Sequence, residues 1–171
     1  MTKKWPIFIS IFLFAMFAFG IIFYAIFPLK YQSVIKKYAK EYHLQAGLVA
    51  SVIFVESRFN KNAKSSSGAC GLMQLMPATF EWVKEELGEE YADIFDPITN
   101  IKYGCFYLAY LMKKYKNEIY VLAAYNAGEG IVSSWGDSEN FGVDNIKYAE
   151  TKNYVLKILK YKAFYFGRLS V

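Results

Sequence analysis

Apolar and polar positions along this chain fall into successive blocks, nearly all with helical spacing. Pro6 to Pro28 contains no charged residue and is rich in Phe and Ile. Tyr31 to Tyr42 is amphipathic, with Val34, Ile35, Tyr38 and Ala39 on one face and Lys36, Lys37, Lys40 and Glu41 elsewhere. Gln45 to Phe59 follows, and from Leu48 to Val55 it is hydrophobic almost all round, the mark of a core helix. Pro77 to Leu87 reads as a helix with Pro in its first turn and Gly88 at its end. Asp96-Pro97 reads as an N-cap and first helical residue of a helix running to about Tyr115. Asn117 caps Glu118 to Tyr125, Gly128 and Gly130 frame a turn, and residues 133–145 form a polar loop. A last helix spans about Lys147 to Phe166. No strand pattern or internal repeat stands out. The spacing predicts an all-α domain over residues 30–171 behind an apolar segment, residues 1–29.

That segment is long enough to cross a bilayer, which needs ~20 residues. A cleaved signal peptide has a shorter apolar region and a small-residue cleavage site. Ala18-Phe19-Gly20 is a weak candidate for one, and the apolar run continues past it to Phe27. An uncleaved anchor over residues 6–28 is the preferred reading, with Trp5 and Tyr24 or Tyr31 suited to the interfaces. Charge does not settle its orientation, because Lys3 and Lys4 are matched by Lys30, Lys36 and Lys37.

Net charge is +5, from 20 basic and 15 acidic residues. No basic run or basic helix stripe appears, so nucleic acid is not an expected partner; an anionic wall or membrane surface fits the surplus. The chain has one histidine, His43, with no cysteine or carboxylate at ligand spacing, so no metal site is expected. Cys70 and Cys105 are open to two readings, a bridge outside the cytoplasm or two free thiols. Neither has a companion that would make it a nucleophile.

Glu56 is the residue that changes the picture. It is the first carboxylate in the core helix, and its helical neighbours are Val52, Ile53, Phe59 and Asn60, none of them cationic. Desolvation disfavours the charged form of such a group. A Glu with an ordinary pKa of ~4.3 is protonated in about 1 molecule in 500 at pH 7. Raising the pKa to roughly 6 makes about a tenth of the molecules competent as an acid. The competing reading is a carboxylate at a solvated last turn, paired with a distant Lys. After Asn60 comes a Ser-, Gly- and Ala-rich loop, Lys61 to Gly71, and then Leu72-Met73-Gln74-Leu75-Met76-Pro77. Gln74 is a polar amide among adaptable hydrophobes, as in a cleft that mixes hydrogen bonding with apolar contact. Met73 reads equally well as core filler. The pairs Glu85-Glu86 and Glu89-Glu90 read as a solvated face.

Three blocks resemble the soluble lytic transglycosylase family, whose domain is similar to goose-type lysozyme. The first is Glu56-Ser57-x-Phe59-Asn60 with Ser65 and Gly68-Ala69-x-Gly71-Leu72-Met73-Gln74-Leu75-Met76-Pro77. The second is Ala123-Ala124-Tyr125-Asn126-Ala127-Gly128-x-Gly130, and the third Tyr148-Ala149-Glu150-Thr151-Lys152-Asn153-Tyr154-Val155. They occur in the family's order from about Tyr31 to the C-terminus. Lys61 and Lys147 stand where the family often has Pro, and Lys152 where Arg is common.

The resemblance implies a lysozyme-like helical domain acting outside the cytoplasm on peptidoglycan glycan strands, without a cofactor. Cell-wall or secretion machinery would be a further, unidentified partner. It implies Glu56 as the catalytic acid, with Ser65, Met73, Gln74, Met76, Tyr125, Asn126, Tyr148 and Glu150 lining the glycan cleft. Paired-carboxylate glycosidases place their groups ~5–5.5 or ~6.5–9.5 Å apart, and here only Glu150 is a plausible distant partner. The resemblance implies instead a single-acid scheme: Glu56 protonates the oxygen between N-acetylmuramic acid and N-acetylglucosamine, the acetamido group supports the developing cation, and the muramoyl 6-hydroxyl closes a 1,6-anhydro ring. Two alternatives stand beside it: a muramidase-type hydrolase of the same bond, and a non-catalytic peptidoglycan-binding module.

Overall fold

The computed structural model describes residues 5–169 and, within the first helix, all side chains but those of residues 6, 7 and 22–26. The chain divides into two compact units, Met1–Lys30 and Tyr31–Val171. The first contains α1, Trp5–Ile26, 22 residues without a charge. Its apolar side chains, Phe8, Phe12, Phe14 and Phe17 among them, are exposed on every side. Among the described residues no helix is long and apolar enough to cross a membrane. The stretch of α1 with uninterrupted side-chain description, Phe8 to Ile21, is shorter than the ~20 residues a bilayer needs.

The second unit is helical: α2 Gln32–Glu41, α3 Ala46–Ser57, α4 Pro77–Glu86, α5 Pro97–Lys114, α6 Glu118–Ala127, the short α7 Glu129–Ser133, a 3-10 turn Val143–Asn145, and α8 Ala149–Leu169. Among the described residues β-pairing is limited to isolated bridges, Lys64 with Cys70 and Cys70 with Leu75. The all-α reading therefore holds. The Asp96 and Asn117 caps are also present: Asp96 accepts from Thr99 N at 2.8 Å, and Asn117 from Ile119 N at 2.9 Å.

The centre of the unit is α3, buried from Gly47 to Phe54. Side chains such as Val52 and Ile53, each without accessible surface, contribute roughly 1.5–3 kcal/mol apiece to folding. α8 lies along α3, and Gly47 permits the approach: a Cβ there would stand 2.8 Å from the Phe166 nitrogen. Phe54 packs edge-on against Tyr161 and Tyr165, with centroids 4.9 and 5.7 Å away. The remaining layers are α2 against α3 and α5, α4 against α5, and α6 against α5, α7 and α8.

Three readings of the sequence are corrected. α3 ends at Ser57 rather than Phe59, because Arg58 and Phe59 both turn left-handed, with φ of 51° and 62°. Such conformations cost of order 1 kcal/mol or more apiece for non-glycine residues, and burial of Phe59 against Tyr165, 6.1 Å away, offsets the strain. Gly128 leads into a helical turn, α7, rather than a bare loop. Glu89 is not a member of a freely solvated face: it binds Lys102 and accepts from the Tyr103 hydroxyl at 2.6 Å. Cys70 and Cys105 are both buried and unpaired.

Candidate active site

Glu56 is the penultimate residue of α3, one turn from the point where the chain reverses. The reversal brings the loop from Asn60 to Met76 back across the end of the helix. Ser57 Oγ donates to Leu72 O at 2.8 Å, fastening the loop beside Glu56. Asn100, buried in α5, completes the fastening: its Oδ1 accepts from Met73 N at 2.8 Å, and its Nδ2 donates to Cys70 O at 3.1 Å and Ile94 O at 2.7 Å. Gly71 has a φ of +80°, and a Cβ on it would sit 2.2 Å from Asn100 Nδ2. The glycine thus serves close packing of the loop on its own scaffold.

The expected site residues fall into different groups. Ser65 is half-buried, and its Oγ accepts from Ala69 N at 3.0 Å, so it braces the glycine loop. Met73 lies in the core rather than in a cleft wall: its side chain has no accessible surface and rests against Gly104. Its carbonyl, however, accepts from the Tyr125 hydroxyl at 2.9 Å. Gln74 is left-handed, φ 49°, and its Nε2 donates to Gly71 O at 2.8 Å and Ala63 O at 3.1 Å. Met76 is 44% exposed at the start of α4. Gln74, Met76, Tyr125 and Asn126 line a single cavity of about 190 Å³. Asn126 Oδ1 accepts from Thr151 Oγ1 at 2.8 Å, which ties the Tyr-Asn turn to α8. Tyr148 is half-exposed and stands edge-on to Trp135, centroids 5.0 Å apart. Glu150 is exposed in the first turn of α8.

Burial pushes the Glu56 carboxyl up to about 7. The residue keeps intermediate accessible surface, yet protein crowds the carboxyl on most sides, and that crowding governs its titration. The Tyr154 hydroxyl counters part of the rise and the Glu150 charge adds to it. No cation figures among these influences, so the lone Lys partner of the competing reading is not there. The Tyr154 hydroxyl is buried and completes no hydrogen bond of normal geometry. It is held well above the usual phenol range by burial and then by the Glu56 charge, and Tyr125 is raised by the same two causes in the same order. Glu56, Tyr125, Tyr154 and Glu150 are therefore one electrostatic cluster, assembled from α3, α6 and α8.

Tyr154, Thr151 and Asn100 are the residues that sequence reasoning did not single out for the site. Tyr154 had a signal: it lies four residues after Glu150 on one helix, hence on the same face. Thr151 and Asn100 are the buried polar side chains of their helices and carried no positional mark in the sequence. Metal-binding groups of three or more His, Cys, Asp or Glu are absent among the described residues.

An all-helical unit that holds one protonatable carboxyl beside a groove, walled by an amide, a thioether and a Tyr-Asn turn, defines a single-acid class of site. Residues 33–147 match the model of the Transglycosylase SLT domain, and the chain belongs to that family. It is 35% identical over 150 residues to the soluble lytic murein transglycosylase of Escherichia coli K12, covering 81% of this chain and 23% of that protein. It is 32% identical over 129 residues to membrane-bound lytic murein transglycosylase C of Haemophilus ducreyi, covering 68% of this chain and 35% of that one. The fold matches an inactive Glu-to-Gln mutant of lytic transglycosylase Slt from Pseudomonas aeruginosa, with a TM-score of 0.77 and 30% identity over 84% of this chain and 25% of that one. It also matches the 70 kDa soluble lytic transglycosylase in complex with bulgecin A, with a TM-score of 0.77 and 34% identity over 85% of this chain and 25% of that one. The chain thus spans about a quarter of the length of the soluble relatives it matches.

Proposed function

We propose that this protein is a membrane-anchored peptidoglycan lytic transglycosylase, with residues 1–29 as the anchor and 30–171 as the catalytic domain on the extracytoplasmic side. The observation that carries the reading is the Glu56 carboxyl, lifted to about 7 by burial with no cation beside it. At neutral pH about half such groups hold a proton, which suits one residue acting first as acid and then as base.

The steps follow from that single group. Protonated Glu56 gives its proton to the oxygen linking N-acetylmuramic acid to N-acetylglucosamine. The C1–O bond breaks, the N-acetylglucosamine 4-hydroxyl departs, and the neighbouring acetamido group supports the positive charge at C1. Glu56, now a carboxylate, takes the proton of the muramoyl 6-hydroxyl while that oxygen bonds to C1. No water is consumed, and the product carries a 1,6-anhydro ring. Glu150 acts as a distant like charge that disfavours ionised Glu56. Tyr125 and Asn126 offer polar groups to the saccharide from one wall, Gln74 and Met76 from the other, and Ser65 braces the loop that bears them. Tyr148, at the start of the third block, flanks the entry to α8.

The anchor reading rests on the 22 uncharged residues of α1 and the exposure of its phenylalanines, which water does not favour on all faces of a helix. Assembly with wall-building or secretion machinery would follow from that placement. The full chain should remain with membranes through alkaline carbonate extraction. Mass spectrometry of purified peptidoglycan digested by the full chain tests the chemistry: anhydromuramoyl ends are expected. Reducing ends would show a hydrolase, and bound but uncut glycan a non-catalytic module.

A further inference from the structure

The groove beside Glu56 does not stop at the Tyr-Asn turn. The cavity of about 190 Å³ that holds Gln74, Met76, Tyr125 and Asn126 is also lined by Thr79 and Tyr107. A second cavity of about 270 Å³ is lined by Ala78, Thr79, Trp82, Tyr107, Tyr110 and Glu129. Thr79 and Tyr107 belong to both, so the two hollows are consecutive stretches of one surface. Aromatic rings mark the path. Tyr125 lies 5.4 Å from Tyr107, Tyr107 lies 6.4 Å from Tyr110 with planes 14° apart, and Tyr110 lies 5.0 Å from Trp82. Tyr107 and Tyr110 are three residues apart on α5 and so share a face of the helix.

We propose that the stretch formed by Trp82, Tyr107, Tyr110 and Glu129 is a saccharide-binding extension of the cleft, taking a sugar of the same glycan strand remote from the bond that is cut. This inference rests on the glycan reading of Glu56 and adds to it a determinant of chain length. Its chemistry suits a pyranose ring. Such a ring offers a C–H face to an aromatic surface and hydroxyls at its rim, and Tyr and Trp present an apolar body with a polar tip. Glu129 provides a fixed acceptor for a hydroxyl: the Tyr115 hydroxyl donates to it at 2.7 Å and Lys114 binds the same oxygen. Lys114 also neutralises that carboxylate, so the stretch does not select a cationic ligand. Tyr110 is 36% exposed, which leaves ring surface open to a ligand.

The experiment compares Tyr110→Ala, Tyr110→Phe and Glu129→Gln, each combined with Glu56→Gln in the full chain so that glycan binds without being cut. The probes are β-1,4-linked N-acetylglucosamine oligomers of two to six sugars, titrated by calorimetry. Affinity should rise with length in the Glu56→Gln protein. Tyr110→Ala should flatten that rise, with a loss of roughly five- to tenfold at the longest oligomer and progressively less at shorter ones. Tyr110→Phe should restore most of it, and Glu129→Gln should lose a few-fold at the long end. An unchanged length dependence in Tyr110→Ala, or a loss equal at every length, overturns the extension while leaving Glu56 and its cleft intact. Absence of any oligomer binding, together with no product from the wild-type chain on peptidoglycan, overturns the extension along with the glycan reading beneath it.

Discussion

Two glutamates in this molecule each face a buried tyrosine, and they behave in opposite ways. Glu89 accepts from the Tyr103 hydroxyl at 2.6 Å and binds Lys102. Those contacts, Lys102 first, hold its carboxyl below the ordinary range. Glu56 faces Tyr154, has no cation among its influences, and is pushed up to about 7 by burial. A phenol alone does not offset the cost of removing a carboxylate from water; a phenol with a lysine does. The site differs from the scaffold by the omission of one positive charge. Glu89 therefore ties the segment after α4 to α5 as a permanent anion, whereas Glu56 exchanges a proton near neutrality.

Removing the titrating group should have the largest effect. Glu56→Gln in the full chain should lower release of muropeptides by about a thousandfold, within the ~10²–10⁴ that general acid–base catalysis supplies. Glu89→Gln, assayed below its unfolding temperature, should change turnover by no more than about threefold. Comparable losses in the two variants would erase the distinction between them.

The same substitution should act on stability with the opposite sign. The Glu56 carboxyl has a folded-state pKa raised from 4.5 to about 7. Below pH 4.5 it is protonated folded or unfolded, and it contributes nothing to the difference. Between pH 4.5 and 7 the unfolded chain ionises first, so folding is progressively disfavoured. Above pH 7 the full penalty is present, up to about 3 kcal/mol. Glu56→Gln should therefore be more stable than wild type at pH 8 by up to that amount and indistinguishable at pH 4. Thermal unfolding at the two pH values measures it, and a stabilisation that persists at pH 4 would point to packing rather than charge.

Much of this contrast could be read in the sequence, and the reason is local. Glu56 stands in an apolar helical run with no cation three or four residues away, so its desolvation follows from spacing alone. The helix caps at Asp96 and Asn117 are likewise fixed by adjacent residues. What could not be read depends on long-range geometry. Met73 has the same sequence context as Met76, yet one rests against Gly104 with no exposed surface and the other is 44% exposed at the head of α4. Gly104 is 31 positions away along the chain from Met73, and no periodicity connects the two. Glu89 looked like part of a solvated pair because its partners, Lys102 and Tyr103, lie on another helix. The left-handed turn at Arg58 and Phe59 was hidden because neither residue favours that backbone, and tertiary burial imposes it.

The tyrosines allow a finer test. Tyr103→Phe removes a donor from an ionised carboxylate and should cost about 1–2 kcal/mol at pH 7. Tyr154→Phe removes a buried hydroxyl that completes no hydrogen bond. It should change stability by less than about 0.5 kcal/mol, or raise it, since no partner loses a formed bond. Chemical denaturation of the two variants at one pH gives both numbers. Equal losses would mean that the Tyr154 hydroxyl is fully bonded in solution, and the two glutamates would then differ only by the lysine.

The smallest effect concerns the one charge that acts on Glu56 from outside its pocket. Glu150 raises the Glu56 carboxyl through its like charge, and it sits exposed on α8, where solvent screens it. Glu150→Gln should lower the Glu56 pKa by a few tenths of a pH unit. The alkaline limb of the pH profile of kcat/KM, which reports the acid in the free enzyme, should move to lower pH by that amount. High salt should shift the wild-type limb in the same direction and leave the variant's limb in place, because screening and substitution remove the same interaction. A limb that stays put in Glu150→Gln would mean that the charge does not reach the site. A collapse of turnover by orders of magnitude would mean something different in kind: that Glu150 itself handles a proton, and that the site has two working carboxylates rather than one.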